Sequence, residues 1–217
     1  MQQYDSHLLL NRHVNNICRT SSIAIRNISK IRKYIGQSET ARLVHAYVTS
    51  KLDHCNSALY GLPDHQVSKL QRIQNTAARM ITRTKRSEHI QPVLYKLHWL
   101  PIKQRVVFKI LLLTYKVLND LSPDYMKDLI IPYRPGRALR SSSHNLLVVP
   151  TSNTTYYGDS AFSVAAPKLW NNLPVEIKNS ETLNSFKKSL KTHLFVNTYY
   201  WIYHFIDFLL PIILHFH

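Results

Sequence analysis

The sequence predicts a mainly α-helical fold: an irregular helical bundle with one small β-hairpin and a hydrophobic C-terminal helix. Three observations predict it. Apolar residues recur at three- and four-residue steps through most of the first 119 positions. The only strand candidates are two short runs, Leu146–Val149 and Thr154–Tyr157. Residues 199–216 are strongly apolar and contain neither Lys nor Arg. A length of 217 residues suits one ordinary domain or two small ones, and an apolar fraction of 45% is enough for a packed core. Composition divides the chain into a helical region over 1–130, a loop, hairpin and amphipathic helix over 131–196, and a hydrophobic tail over 197–217.

The first helix is expected over 13–35. Val14, Ile17, Ala24, Ile28, Ile31 and Ile35 recur with Arg and Lys between them, and Gly36 reads as the C-cap. Ser38 as N-cap, with Glu39 in the first turn, opens a second helix. Its apolar face is Val44, Tyr47, Val48, Leu52, Cys55 and Leu59, and Gly61 and Pro63 end it. A third helix runs from Gln66 to Arg86. At about 100° per residue, Lys69, Arg72, Arg79, Arg83 and Arg86 fall inside an arc of about 100°, and Val67, Leu70, Ile73, Ala77, Met80 and Ile81 form the apolar face. Pro101 opens a fourth helix that runs to about Asn119. That helix is apolar over most of its circumference, with Arg105, Lys109 and Lys116 on one polar strip, as befits the centre of a bundle. Residues 132–145 read as loop from Pro132, Pro135, Gly136 and the Ser141-Ser142-Ser143 run. After the hairpin, Leu183, Phe186, Leu190 and Leu194 mark a last amphipathic helix capped by Ser180, with Lys187, Lys188 and Lys191 on its exposed sides.

The charge balance narrows the function. Lys and Arg total 28 against 12 Asp and Glu, a formal charge of +16, which favours a polyanionic partner, either nucleic acid or an anionic membrane surface. The four glycines, Gly36, Gly61, Gly136 and Gly158, are never closer than 22 residues. That spacing excludes a dinucleotide-binding G-x-G-x-x-G turn, a P-loop, a kinase glycine loop and a G-x-S-x-G elbow. Cys18 and Cys55 are too few for a disulfide framework or a zinc site and read as reduced thiols of an intracellular protein, in nucleus or cytoplasm. No basic segment leads into an apolar stretch at the N-terminus, so no secretory signal is read there, and the chain starts as if inside a longer one.

Among the motifs, the basic arc of the third helix carries the strongest signal. A solvated face usually mixes signs, whereas this one has no carboxylate between Asp64 and Glu88, and four of its five cations are Arg, which forks onto phosphate. Arg134, Arg137 and Arg140, three apart in the loop, form either a second phosphate contact or a solvated basic loop. Tyr156 and Tyr157 read as a cross-strand pair in preference to a base-stacking platform. Tyr157-Gly158-Asp159-Ser160 approximates a polymerase Tyr-x-Asp-Asp box but lacks the second carboxylate that two-metal phosphoryl transfer needs, so Asp159 is not read as catalytic. His54, His89 and His98 fit no metal spacing, and no catalytic constellation, metal or cofactor site is expected.

Several stretches carry a family likeness in order: Leu52–Pro63 (LDHCNSALYGLP), Leu70–Thr82 (LQRIQNTAARMIT), His89–Arg105 (HIQPVLYKLHWLPIKQR), then RSSSHNLLVVP and YYGDSAFSVAAPKLWNNLP within 139–174, and Ser185–Phe195 (SFKKSLKTHLF). Together they resemble the C-terminal part of LINE-type (non-LTR) retrotransposon reverse transcriptases of animal genomes, over roughly residues 5–196. The Trp99-Leu100-Pro101 and Pro167-Lys168-Leu169-Trp170-Asn171 signatures are the specific ones. The resemblance implies the thumb and post-thumb region of an RNA-directed DNA polymerase, downstream of the palm that holds the catalytic aspartates. It implies template RNA and primer DNA as partners, contacted through their backbones, and the upstream palm as a neighbour in a longer chain. Two alternatives stand beside it: a basic tail-anchored membrane protein, and the translated remnant of a decayed element with no selected function. For the tail, ten of residues 199–216 are Ile, Leu or Phe, which favours insertion by roughly 3 to 6 kcal/mol. Asp207 costs about 2.5 to 3.5 kcal/mol, and Pro211 and His204 cost more, so the balance is close to zero.

Overall fold

The computed structural model of the chain describes residues 10–134, 145–152, 154 and 158–200 in full and the backbone of 201–214. The fold is mainly helical. The chain divides into two compact units, Met1–Arg105 with Phe195–His217, and Val106–Leu194.

In the first unit α1 (Asn11–Ile31) buries Val14, Ile17, Ser21, Ile25 and Ile28, a seam at three- and four-residue steps. Ser21, a polar residue in the apolar seam, lies fully inside it, and Ile31 is exposed. The helix stops four residues short of the expected end, and the glycine expected to close it does something else. Arg32 turns back at the helix end, its guanidinium donating to the carbonyls of Ile35 (2.9 Å), Met80 (3.1 Å) and Ile81 (2.9 Å). Gly36 is the N-cap of α2 (Gln37–Val44), its carbonyl accepting the Thr40 amide and hydroxyl, and Ser38 lies within the helix. A π-helical turn, His45–Thr49, joins α2 to α3 (Ser50–Asp53). The extra residue in that turn lets Val48 and Thr49 both enter the core beside Val44 and Leu52. A 3-10 turn, Asn56–Leu59, then leads to α4 (Asp64–Thr82) and α5 (Ile90–Lys96).

α1 and α4 run parallel. Gln66 Nε2 donates to Asn11 Oδ1 (2.6 Å) and Lys69 Nζ to Asn15 Oδ1 (3.4 Å) near their N-terminal ends, and Arg32 meets Met80 and Ile81 at the other. The start of α6 (Ile102–Leu118) is fixed to α4 by glutamines: Gln74 Nε2 donates to the Leu100 carbonyl (2.8 Å), and the Ile102 amide donates to Gln71 Oε1 (2.9 Å). Pro101 stands one residue ahead of α6, its carbonyl accepting the Arg105 amide, so the helix opens where the sequence places it. Tyr95 of α5 packs with Phe195 and Tyr199, ring centroids 5.3 and 5.8 Å away, and the Tyr199 hydroxyl donates to the Trp99 carbonyl at 2.6 Å.

The second unit is built on Tyr115, Trp170 and Phe186, all buried. Tyr115 of α6 stacks on Phe186 at 4.2 Å and donates its hydroxyl to the Ser180 carbonyl at 2.7 Å. Trp170, in α7 (Phe162–Asn171), donates its indole N–H to the Asn145 carbonyl at 2.8 Å. A short α8 (Val175–Lys178) precedes α9 (Leu183–Leu214). Thr182, not Ser180, caps α9: its hydroxyl oxygen accepts the Ser185 amide, while the Ser180 hydroxyl donates to the Ile177 carbonyl.

Two sequence expectations are corrected here. The hairpin does not form among the described residues. Leu146–Val149 makes a single antiparallel bridge, Pro132 to Leu147, with the Tyr133 amide on the Leu146 carbonyl and the Val148 amide on that of Ile131. Both backbone groups of Leu147 are taken by the Asn171 side-chain amide at 2.9 Å, which occupies the place of a partner strand. Of the expected second strand, Thr154 is described and Thr155–Tyr157 lie outside the described residues. The separate hydrophobic C-terminal helix is also not found as such. The backbone runs on from the amphipathic part of α9 through a non-helical residue, Tyr199 (φ −112°, ψ 18°). Among the described residues no helix is long and apolar enough to cross a membrane. The side chains of 201–217 lie outside the described residues.

Candidate nucleic-acid interface

The basic charge is unevenly distributed. Residues 1–105 hold 17 of the 28 Lys and Arg but only five of the 12 Asp and Glu. Within that unit α4 buries Leu70, Ala77, Ala78 and Ile81, together with Gln66 and Gln74. Its opposite side presents Ser68, Lys69, Arg72 and Thr76 to solvent.

The structure separates the five cations of the expected arc. Lys69 and Arg72 stand exposed on α4. Arg79 is half-buried and turned onto the following loop, donating to the carbonyls of Glu88 (2.6 Å) and Lys85 (3.4 Å). The helix ends at Thr82, not Arg86. Arg83 adopts a left-handed conformation (φ 57°), and the Thr84 amide reaches back to the Arg79 carbonyl. Residues 83–89 contain no apolar side chain to bury, and the Glu88 carboxylate accepts the Lys85 amide at 3.0 Å, so a local turn replaces another helical turn. Arg83 and Arg86 are exposed but no longer share the helical arc, and Arg83 also donates to the Arg32 carbonyl at 3.4 Å. Arg134, in the second unit, is exposed, and Arg137 and Arg140 lie outside the described residues, as do Tyr156 and Tyr157.

A second set of cations lies on α1. Arg12, Arg19 and Arg26 follow at seven-residue steps, with Lys30 one turn further, and all four are exposed. They lie opposite the buried seam from Val14 to Ile28. No Asp or Glu occurs between Asp5 and Glu39. The spacing is visible in the sequence, but its meaning depends on which side of α1 is buried. Cys18 on α1 is half-buried; burial pushes its thiol up and the nearby Lys69 ammonium works against that shift.

Three carboxylates, Asp159, Asp53 and Asp64, are held in hydrogen-bonded pairs with neighbouring side chains. Asp159 Oδ1 accepts from Ser152 Oγ (2.7 Å) and Lys168 Nζ (2.8 Å), and Lys168 first, then Ser152, hold its carboxyl below the usual carboxylate range. It anchors the approach to α7. Asp53 and Arg105 form a two-pronged pair, Nε to Oδ1 at 2.8 Å and Nη2 to Oδ2. Asp64, at the start of α4, pairs with Lys103 at 2.7 Å. Among the described residues no three His, Cys, Asp or Glu side chains gather as metal ligands. No known protein family, curated protein or solved structure matches the chain.

Proposed function

We propose that the chain is a nucleic-acid-binding segment of a LINE-type retrotransposon reverse transcriptase, its thumb and post-thumb region. In this reading it grips template RNA and primer DNA through their phosphates and leaves polymerisation to a palm elsewhere in a longer chain, in nucleus or cytoplasm. The observation that carries the reading is the exposed face of α4, where Lys69 and Arg72 stand on a helix whose one carboxylate, Asp64, is paired with Lys103. Contacts of this kind ignore sequence and weaken steeply with salt. The stretches that resemble the family in sequence order from Leu52 to Phe195 supply the family part of the reading.

Two measurements test it. Fluorescence anisotropy with labelled RNA–DNA hybrids of shuffled sequence is expected to give one affinity for all of them. Lys69→Gln with Arg72→Gln is expected to weaken all of them alike. The purified chain is expected to extend no primer on an RNA template with Mg²⁺ or Mn²⁺, and synthesis is expected only when an upstream palm is joined to it. Metal-dependent extension by the chain alone, lost on Asp159→Asn, would overturn the assignment.

A further inference from the structure

We infer that the phosphate-binding surface is a two-row cationic track along the seam of α1 and α4, and that its partner is double-stranded nucleic acid. The inference rests on the polyanion reading of α4 and extends it to a second helix and to one class of ligand.

The geometry follows from the contacts between the two helices. On α1 the side that meets α4 is marked by Asn11, Asn15 and Cys18, and it lies between the buried seam and the Arg12–Arg19–Arg26 row. On α4 the side that meets α1 is marked by Gln66 and Lys69, and it lies between the buried seam and Arg72. The helices are parallel, so their wheels turn in the same sense. With the cores on one side of the contact line, the two cationic rows emerge together on the other. The Lys69–Asn15 hydrogen bond crosses the seam between them.

The chemistry of the track selects the ligand. From Arg12 to Lys30 it is about 27 Å long at about 1.5 Å per residue, the length of about eight base pairs at about 3.4 Å each. Adjacent helix axes lie about 8 to 10 Å apart, so the two rows run side by side on one face and can meet phosphates of two strands rather than one thread. Single-strand grooves pair cations with aromatic platforms on which bases stack. Neither α1 nor α4 contains a Phe, Tyr or Trp. The exposed residues among the cations are Asn15, Ser22 and Thr76, short and polar, and one aliphatic side chain, Ile23; none is aromatic. Such a surface gains from a backbone with its phosphates outward and its bases already stacked, and has little to offer unstacked bases.

The test uses the full chain, a 16-base-pair DNA duplex of random sequence and the corresponding single strand, with anisotropy read across a salt series. The duplex is expected to bind more tightly than the single strand. The triple variant Arg12→Gln, Arg19→Gln, Arg26→Gln is expected to flatten the slope of log K against log salt on duplex by up to about 2.7, from about 0.9 per phosphate contact. The pair Lys69→Gln, Arg72→Gln should flatten it by up to about 1.8. All five positions are on the surface, and the Arg→Lys versions at positions 12, 19 and 26 should keep the slope, which separates charge from folding. If only the α4 pair matters, the track is wrong and the simpler α4 reading survives. If neither set matters, both fail. Equal or tighter binding to the single strand, or to phosphatidylserine vesicles, would overturn the duplex assignment.

Discussion

Replacing Asn171 by Ala should destabilise the second unit out of proportion to its size. The Asn171 amide accepts the Leu147 N–H and donates to the Leu147 carbonyl, both at 2.9 Å, and Leu147 is only 4% exposed. Removing the amide deletes two hydrogen bonds worth about 1 kcal/mol each and leaves two backbone groups poorly hydrated, at about 1 to 3 kcal/mol apiece if neither is rescued. Allowing for water reaching one of them, the loss is about 2 to 4 kcal/mol. Hydrogen exchange at the Leu147 amide reads it directly, with protection expected to fall about 30- to 1000-fold. Urea unfolding followed by circular dichroism should show the same change as a lower midpoint. Asn171→Asp is the sharper control. It keeps an acceptor for the Leu147 N–H but sets a carboxylate against the Leu147 carbonyl, so it should remain destabilised at neutral pH and recover in acid, where the protonated carboxyl donates. A Leu147 amide that exchanges within threefold of wild type in the Ala variant would refute the idea that Asn171 stands in for a strand.

Tyr199→Phe should cost about 1 kcal/mol, the worth of its bond to the Trp99 carbonyl. Burial pushes the Tyr199 phenol up to about 12, so the folded chain holds that proton after an unfolded tyrosine, near 10, has lost it. Its share of stability is therefore constant below about pH 10 and disappears between about 10 and 12, and the Phe variant should lack that decline in a series of pH-dependent unfolding curves. A double-mutant cycle on Asp53→Ala and Arg105→Ala should return a coupling of about 1 to 2 kcal/mol, reduced because Asp53 is 38% exposed. A coupling near zero would make the pair ornamental. Arg79→Gln should loosen the 83–89 turn, seen as faster amide exchange there, because its guanidinium holds the Lys85 and Glu88 carbonyls.

What the sequence discloses is local. α6 is legible because Pro101 and a helix apolar over most of its circumference are neighbours in the chain. The existence of α4 is legible for the same reason, but its end is not. The left-handed turn at Arg83 depends on how Arg79 and Glu88 fold back on the loop, a choice that periodicity does not record. Gly36 is ambiguous in the sequence because glycine suits either end of a helix. Arg32, reaching Met80 and Ile81 nearly fifty positions away, ends α1 first and leaves Gly36 to open α2. The expected hairpin fails for a similar reason: Leu147 finds its partner in a side chain 24 residues on. The α1 row is the opposite case. Arg12, Arg19 and Arg26 stand in plain sight at a constant step, but only the depth of Ser21 and Ile25 fixes the buried seam and so gives the row a side.

The salt dependence of duplex binding by the intact chain bears most directly on the central claim. Affinity is measured by anisotropy on random-sequence duplex between low and physiological salt. With Arg12, Arg19, Arg26, Lys69 and Arg72 on phosphates, log K should fall with log salt at a slope approaching about −4.5, and shuffling the sequence should leave both slope and affinity unchanged. A slope shallower than about −1, or an affinity that follows the base sequence, would contradict a phosphate-binding surface on this protein.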